Sequence, residues 1–105
     1  MSELEIIKEI LLRHKGRKNA IKSKEISSLL GLPLEDTQFV TRMLIRKVCE
    51  VFELPVISSS EGYFIPENEK ELRKYNLEMQ KRIDGIESTR RKINVNYNKW
   101  VKGRT

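Results

Sequence analysis

Four polar side chains in the middle of the chain are spaced to share one face of a helix. They are Gln38, Thr41, Arg42 and Arg46, and steps of three and four residues bring side chains together on a helix surface. An amide can pair with adenine and a guanidinium with guanine, each through two hydrogen bonds. The pattern therefore predicts outward-facing groups that bind base edges, while Arg46 and the adjacent Lys47 are expected to contact phosphates.

The helix that must carry these side chains is predicted over residues 36–52. Gly31 and Pro33 separate it from a preceding short helix, and Glu35 and Asp36 favour its positively polarised first turn. We expect its opposite face to enter the core through these apolar residues: Phe39, Val40, Met43, Leu44, Val48 and Val51.

A second group of cations precedes this helix. Arg17 and Lys18 follow the first predicted helix, and Lys22 and Lys24 lie at the start of the second. Basic side chains beside free backbone N–H groups at a helix start suit phosphate oxygens. The sequence therefore predicts that these residues contact a nucleic-acid backbone, so that affinity falls steeply with salt. The alternative is an ordinary solvated surface.

The segment LPVISSSEGYFIP, residues 54–66, predicts a β-hairpin. Its two apolar runs have strand composition, and SSEG between them is turn chemistry, with Gly62 able to take a positive φ. The turn carries Glu61 and no basic residue, which argues against strong contact with DNA and leaves Ser59 as a weak phosphate donor. Ala20 and Ile21 are expected to form a small strand at most.

The predicted order of elements is helix, short strand, helix, helix, hairpin and long helix, which is a helix-turn-helix followed by a wing. The predicted fold class is α+β, mostly α, with a winged helix-turn-helix domain over residues 1–66 and a long C-terminal dimerisation helix with a basic tail over residues 67–105. In such a fold the third helix enters the major groove of double-stranded DNA and the hairpin approaches phosphates.

The sequence resembles the small winged-helix DNA-binding proteins of phages and prophages of Gram-positive bacteria. The resemblance lies in GRKNAIKSKEISSLLGL, in the hairpin PVISSSEGYFIP and in ENEKELRKYNLEMQKRIDGIESTRR, which together cover most of the chain. Its most specific part is the hairpin, with Pro55, Val56, Ser58 and the pair Gly62–Tyr63. Family members often have Leu-Arg and a glycine before the hairpin, where this chain has Cys49, Glu50 and Glu53. The resemblance implies the fold and DNA binding in general.

From Glu67 to about Trp100 the sequence predicts one long helix with a narrow apolar stripe near the 3.5-residue repeat of a coiled coil. Arg90 occupies the one polar position in the stripe. We expect the stripe to join two chains in a homodimer through Leu72, Tyr75, Met79, Ile83, Ile86, Ile93 and Tyr97. The six basic residues from Arg90 onward, with no acidic one among them, leave contact with DNA as an alternative for the tail.

Composition narrows the function classes. Lys and Arg number 21 against 15 Asp and Glu, a formal charge of +6, which favours a polyanionic partner. The chain has one histidine, His14, and one cysteine, Cys49, so it lacks an internal disulfide and a recognisable zinc motif. It also lacks a glycine-rich phosphate loop and an apolar stretch that would span a membrane. We expect no catalytic residues, no metal, no cofactor and a cytoplasmic location.

Three functions stay open at this point. The first is a phage or mobile-element transcriptional regulator that binds duplex DNA as a dimer. The second is a winged-helix module that binds a host or phage protein, in phage replication, in packaging or as an inhibitor, and the acids Glu50, Glu53 and Glu61 motivate it. The third is an architectural DNA binder with little sequence preference.

Overall fold

The computed structural model describes residues 1–33 and 38–103. Their element order is α1 (Glu3–Leu12), a 3₁₀ turn (Arg17–Asn19), α2 (Ser23–Leu30), α3 (Phe39–Phe52), β1 (Ile57–Ser59), β2 (Gly62–Phe64) and α4 (Glu69–Gly103). The described chain is thus α+β and mostly helical, as predicted. The expected contribution of Glu35 and Asp36 to the start of α3 lies outside the described residues.

Helices α1, α2 and α3 share one hydrophobic core. Ser2 begins α1 because its hydroxyl accepts a hydrogen bond from the Glu5 backbone N–H at 3.2 Å. Gly31 ends α2 in the left-handed region, with φ 69°. The buried residues at the centre of the core are Ile7, Leu11, Ile21, Ile26, Ile45 and Val48.

The predicted hairpin is present and is joined to the segments that flank α1 and α2. Strands β1 and β2 pair antiparallel, with Ile57 opposite Phe64. Ile21 pairs with Tyr63 through two backbone hydrogen bonds of 2.9 and 2.7 Å, so the expected small strand is a single bridge. Directly after β2, Ile65 bonds to the backbone of His14 and Gly16. The hairpin is therefore part of the packed body.

Gly62 is required where β2 passes Ile21. Its φ is +125°, and a Cβ atom at this position would lie 2.5 Å from the Ile21 carbonyl oxygen. Only glycine tolerates both this backbone angle and this close approach. The residue that allows the turn therefore also allows the hairpin to bond to the segment before α2.

The face of α3 that packs inward differs from the predicted one. Phe39, Val40, Met43 and Val51 were expected in the core, but they are 60, 46, 55 and 55% exposed. The inward stripe consists of Thr41, Ile45 and Val48, with Leu44 and Phe52 half-buried beside it. Apolar residues occur around most of the circumference of α3, so its sequence is compatible with two different apolar faces. The face that packs inward contains the β-branched Ile45 and Val48.

Helix α4 has 35 residues, none of them buried. It begins within a compact unit formed by Met1–Glu71 and continues through a second unit that starts at Leu72. Asn68 precedes α4, and its side-chain oxygen accepts a hydrogen bond from the Glu71 backbone N–H at 3.0 Å. None of the helices in the described ranges is both long enough and apolar enough to cross a membrane.

Candidate nucleic-acid interface

Two of the side chains predicted to bind bases lie inside the protein. Gln38 is 8% exposed and Thr41 is 2% exposed, so the prediction that they face outward is wrong. Both contact Ser27 of α2, whose hydroxyl lies 2.8 Å from Gln38 Oε1 and also hydrogen-bonds to Thr41 Oγ1. Ser27 Oγ has one proton and also bonds to the Ser23 carbonyl oxygen at 3.0 Å, so Thr41 is the donor in the bond that the two hydroxyls share.

This buried polar cluster, Ser27, Gln38 and Thr41, explains the orientation of α3. Gln38 takes a left-handed conformation, with φ 53° and ψ 39°, and its carbonyl oxygen accepts the Arg42 backbone N–H at 2.9 Å. Buried polar groups must be hydrogen-bonded, and among the described residues no buried side-chain nitrogen or oxygen lacks a partner. Ser27 supplies the partners that allow Thr41 to replace an apolar residue in the core.

The three basic residues predicted on α3 do face outward. Arg42, Arg46 and Lys47 are all exposed. Arg42 and Arg46 line a groove of about 410 Å³ between α3 and the hairpin, whose opposite wall includes Ser58 and Tyr63. Ile45, Cys49 and Val56 complete its lining. The groove has two guanidinium groups on one side and hydroxyls on the other.

A second cavity, nearer the start of α2, adjoins this groove and shares Arg42, Ser58 and Tyr63 with it. This cavity, of about 250 Å³, is lined by Lys22, Ser23, Arg42, Ser58, Ser59, Ser60, Gly62 and Tyr63. Of the sequence-predicted residues, Lys22, Arg42, Arg46 and Ser59 therefore meet here, and we call this surface the α3–hairpin groove. Sequence reasoning missed Ser58 and Tyr63 as members of the site. The alternation along the two strands was the available signal, because residues two apart point to the same face of a hairpin.

The remaining predicted cations lie elsewhere. Lys18 and Lys24 are exposed, but neither lines the groove. Arg17 is engaged within the protein, since its guanidinium lies 3.4 Å from Glu61 and over the Phe64 ring at 5.4 Å. Its backbone N–H also bonds to Glu71 at 3.2 Å. Arg17 therefore steadies the turn of the hairpin.

The turn of the hairpin is acidic and internally bonded. The pKa of Glu61 is lowered, first by its own backbone N–H, then by the Ser59 and Ser60 hydroxyls, and also by the charge of Arg17. The Ser59 hydroxyl has one proton, and both of its acceptors, the Gly62 carbonyl oxygen at 2.9 Å and the Glu61 carboxylate, lie inside the turn. A charged carboxylate at this tip repels phosphate.

The outermost face of α3 is apolar. Phe39, Val40 and Met43 are between 46 and 60% exposed, and Leu29 of α2 is 65% exposed. Helical geometry places Arg42 and Arg46 on one side of Phe39 and Met43, and Lys47 on the other. This surface therefore combines an apolar centre with cationic edges.

Two further features are the environment of the single cysteine and the arrangement of residue types that bind metals. Cys49 lies half-buried at the groove floor, and burial is the largest of the effects that raise its pKa. No group of three or more His, Cys, Asp or Glu in residues 1–33 and 38–103 could hold a metal ion.

The residues predicted to form a dimer contact are on α4. Ile83, Ile86, Ile93 and Tyr97 are between 54 and 71% exposed, and Leu72 is 41% exposed. Tyr75 and Met79 are half-buried. Ile83 and Ile86, with Glu87 and Arg90, line a shallow depression of about 380 Å³ on this helix.

Comparison of the chain with protein-family models, with curated proteins and with solved structures gives no match. The resemblance to phage winged-helix proteins therefore rests on the residues of this sequence alone.

Proposed function

We propose that this protein binds duplex DNA as a winged helix-turn-helix, with the α3–hairpin groove against the phosphate backbone. The observation that carries the proposal is the convergence of Lys22, Arg42 and Arg46 on one groove that also presents serine hydroxyls. Guanidinium, ammonium and hydroxyl donors are the groups that bind phosphate oxygens. The net charge of +6 adds a long-range attraction to a polyanion.

The corrected orientation of α3 changes how this proposal assigns roles. Because Gln38 and Thr41 are buried, they fix α3 against α2, and base contacts fall to Arg42 and to the exposed apolar side chains. A guanidinium can bind guanine, and apolar groups can pack on the thymine methyl group. We therefore propose a phage or mobile-element regulator whose affinity depends more on phosphates than on base edges, and which acts as a homodimer through α4.

A gel-shift titration at several salt concentrations tests the DNA proposal. The variant Arg42→Ala/Arg46→Ala should weaken binding to duplex DNA and lower the slope of log affinity against log salt by about 1 to 2, because each lost phosphate contact removes roughly one unit and Arg42 adds a second unit only where it contacts phosphate rather than guanine. The control Lys70→Ala/Lys81→Ala removes the same charge from exposed positions of α4. Equal losses in the two variants would mean that net charge alone, rather than the groove, binds DNA.

The test must also separate regulators from architectural binders. Binding to the DNA upstream of the protein's own gene is compared with binding to a scrambled duplex of equal length. A regulator should prefer its own site by about 10³-fold or more. An equal affinity for both duplexes would favour the architectural role.

A protein-binding module is the second candidate, and the exposed apolar face of α3 is the observation that favours it. Phe39 and Met43 are 60 and 55% exposed. Large side chains of this kind, once a partner protein buries them, dominate the binding energy of protein interfaces. The variant Phe39→Ser/Met43→Ser should abolish biological activity while leaving the gel shift intact if this candidate is correct. The reverse result, with loss of activity only in Arg42→Ala/Arg46→Ala, would support DNA binding.

A further inference from the structure

Helix α4 contains a seven-residue repeat that fits a second copy of itself. Counting from Leu72, every seventh residue is apolar: Leu72, Met79, Ile86, Ile93 and Trp100. The second seam position, four residues after each of these, holds Asn76, Ile83, Arg90 and Tyr97. These are the d and a positions of a coiled coil. Isoleucines at neighbouring a and d positions, Ile83 and Ile86, line the depression on α4 that a facing side chain would fill.

Charge is distributed unequally along this helix. Residues 69–79 contain three acidic and three basic side chains, whereas residues 90–100 contain four basic and no acidic ones. In a parallel pair the two cationic segments would lie against each other. In an antiparallel pair each cationic segment would lie beside the neutral one, which contains three acidic side chains.

The a and d positions lead to the same preference. A parallel pair places Arg90 against the partner's Arg90, two like charges in the seam. An antiparallel pair that overlaps residues 69–100 places Arg90 against the partner's Met79, whose flexible thioether chain leaves the guanidinium free to reach water. The same alignment places Ile83 against the partner's Ile86 at the centre and Leu72 against the partner's Tyr97 near each end.

Two contacts favour the parallel pair. It places Asn76 against the partner's Asn76, two amides that can hydrogen-bond, whereas the antiparallel alignment places Asn76 against the partner's Ile93. The second contact, also in the parallel pair, is weak. Arg82 would there approach the partner's Glu87, and exposed ion pairs of this kind contribute little. Glu87 already pairs with Arg91 of its own helix at 3.3 Å, so the new contact would replace an existing one.

We propose that α4 forms an antiparallel two-stranded coiled coil with a second copy of this chain, in the alignment that pairs Met79 with the partner's Arg90. The inference rests on the homodimer of the proposed function and specifies its direction and register. The overlap of residues 69–100 is ~46 Å long at 1.5 Å per residue.

Disulfide trapping between two tagged full-length chains, in a Cys49→Ser background, tests the direction. One chain carries Met79→Cys and the other Arg90→Cys. Antiparallel pairing predicts that the mixed disulfide dominates under mild oxidation. Parallel pairing predicts disulfides between identical chains, because positions 79 and 90 would then lie ~16 Å apart along the axis, beyond the ~7 Å limit between Cα atoms.

The matched control uses Lys81→Cys with Ser88→Cys. These two positions lie at the same level of the antiparallel alignment but on the outer side of the coil, so they should not form a mixed disulfide above background. Predominant disulfides between identical chains, or equal trapping in test and control pairs, would overturn the proposal.

Light scattering on the full-length protein provides the second measurement, since a dimer has twice the monomer mass of 12.4 kDa. A monomer at high micromolar concentration would overturn the coiled coil. Both measurements are made without DNA, so they are independent of the gel-shift result. If the mixed disulfide does not form but DNA binding is intact, only the coiled coil is rejected. If the mixed disulfide forms but DNA binding is absent, only the role of the α3–hairpin groove is rejected.

Discussion

The first 71 residues and helix α4 use apolar side chains in opposite ways. In the N-terminal unit, Phe64 and Ile26 are fully buried, and helices and hairpin cover one another. In α4, Ile83 and Ile86 are 54 and 71% exposed, on a helix in which no residue is buried. Isolated helices in water are marginally stable, because tertiary packing supplies most of their stability. The contrast is the one expected if packing within the N-terminal unit stabilises that unit, and if α4 gains its stability from the association proposed above.

Replacing Phe64 by alanine should give the largest loss of stability among these variants, and the loss should occur in the N-terminal unit. Removal of a fully buried phenylalanine costs about 3–5 kcal/mol, and Phe64 is 0% exposed. Urea unfolding followed by amide hydrogen exchange should show the loss in the N-terminal unit. A change below about 1 kcal/mol would mean that this unit is not close-packed.

The matched variant for α4 is Ile86→Ala. At concentrations low enough to keep the chain monomeric, it should change the stability of the N-terminal unit by less than about 0.5 kcal/mol. At high concentration it should weaken the dimer, because it empties a central position of the proposed coil. An equal effect at both concentrations would contradict a role in association.

Two glycine substitutions should act in opposite directions in the two regions. Gly62→Ala should destabilise the N-terminal unit by about 2 kcal/mol or more, since φ is +125° and the new Cβ would lie 2.5 Å from the Ile21 carbonyl oxygen. Gly85→Ala has open space around it and should stabilise α4 by about 0.5–1 kcal/mol. Thermal unfolding followed by circular dichroism measures both. A stabilising Gly62→Ala would contradict the close backbone approach.

The buried polar cluster gives the next test. Ser27→Ala should cost about 1–3 kcal/mol, because it removes the buried hydroxyl to which Gln38 and Thr41 both hydrogen-bond. The neighbouring Ser28 is exposed, so Ser28→Ala should stay within about 0.5 kcal/mol. If the two variants unfold at the same urea concentration, the cluster does not hold α3 in place.

Cys49 provides the smallest expected effect, one on pH dependence. Burial raises the pKa of its thiol, so the folded protein should carry less thiolate than the unfolded chain as pH approaches the ordinary thiol pKa. Alkylation by iodoacetamide near pH 8 should therefore be slower in native buffer than in urea, since thiolate is the nucleophile. The corresponding contribution to stability is present below the ordinary pKa and is lost as pH rises towards the raised one. Equal alkylation rates would contradict the half-buried position.

The sequence predicted the elements better than their orientation. The helix starting near Ser2, the hairpin around Gly62 and the long C-terminal helix follow from local signals, namely a capping hydroxyl, turn residues and a periodic stripe. The orientation of α3 was not local, because its inward face depends on Ser27, fourteen residues before Thr41. A threonine on a helix looks solvent-exposed until the hydroxyl that pairs with it is known.

The candidate site was predictable in its charges and not in its shape. Arg42, Arg46 and Lys22 were recognisable as exposed cations from their types and positions. Their convergence on one groove depends on how the hairpin folds back across the body, which involves long-range pairing between Ile21 and Tyr63. For the same reason, alternation along the strands could group Ser58 and Tyr63 with their neighbours on one face of the hairpin but could not show that this face meets α3.

The bridge between Ile21 and Tyr63 has a mechanical consequence. Lys22 follows Ile21 directly, and Ser58 lies opposite Tyr63 in the hairpin register. A displacement of the hairpin should therefore displace the beginning of α2, because backbone hydrogen bonds join the two segments directly. Lys22 and Ser58, on the two sides of the groove, should then move together. Their neighbouring amide protons should exchange with solvent in one cooperative opening.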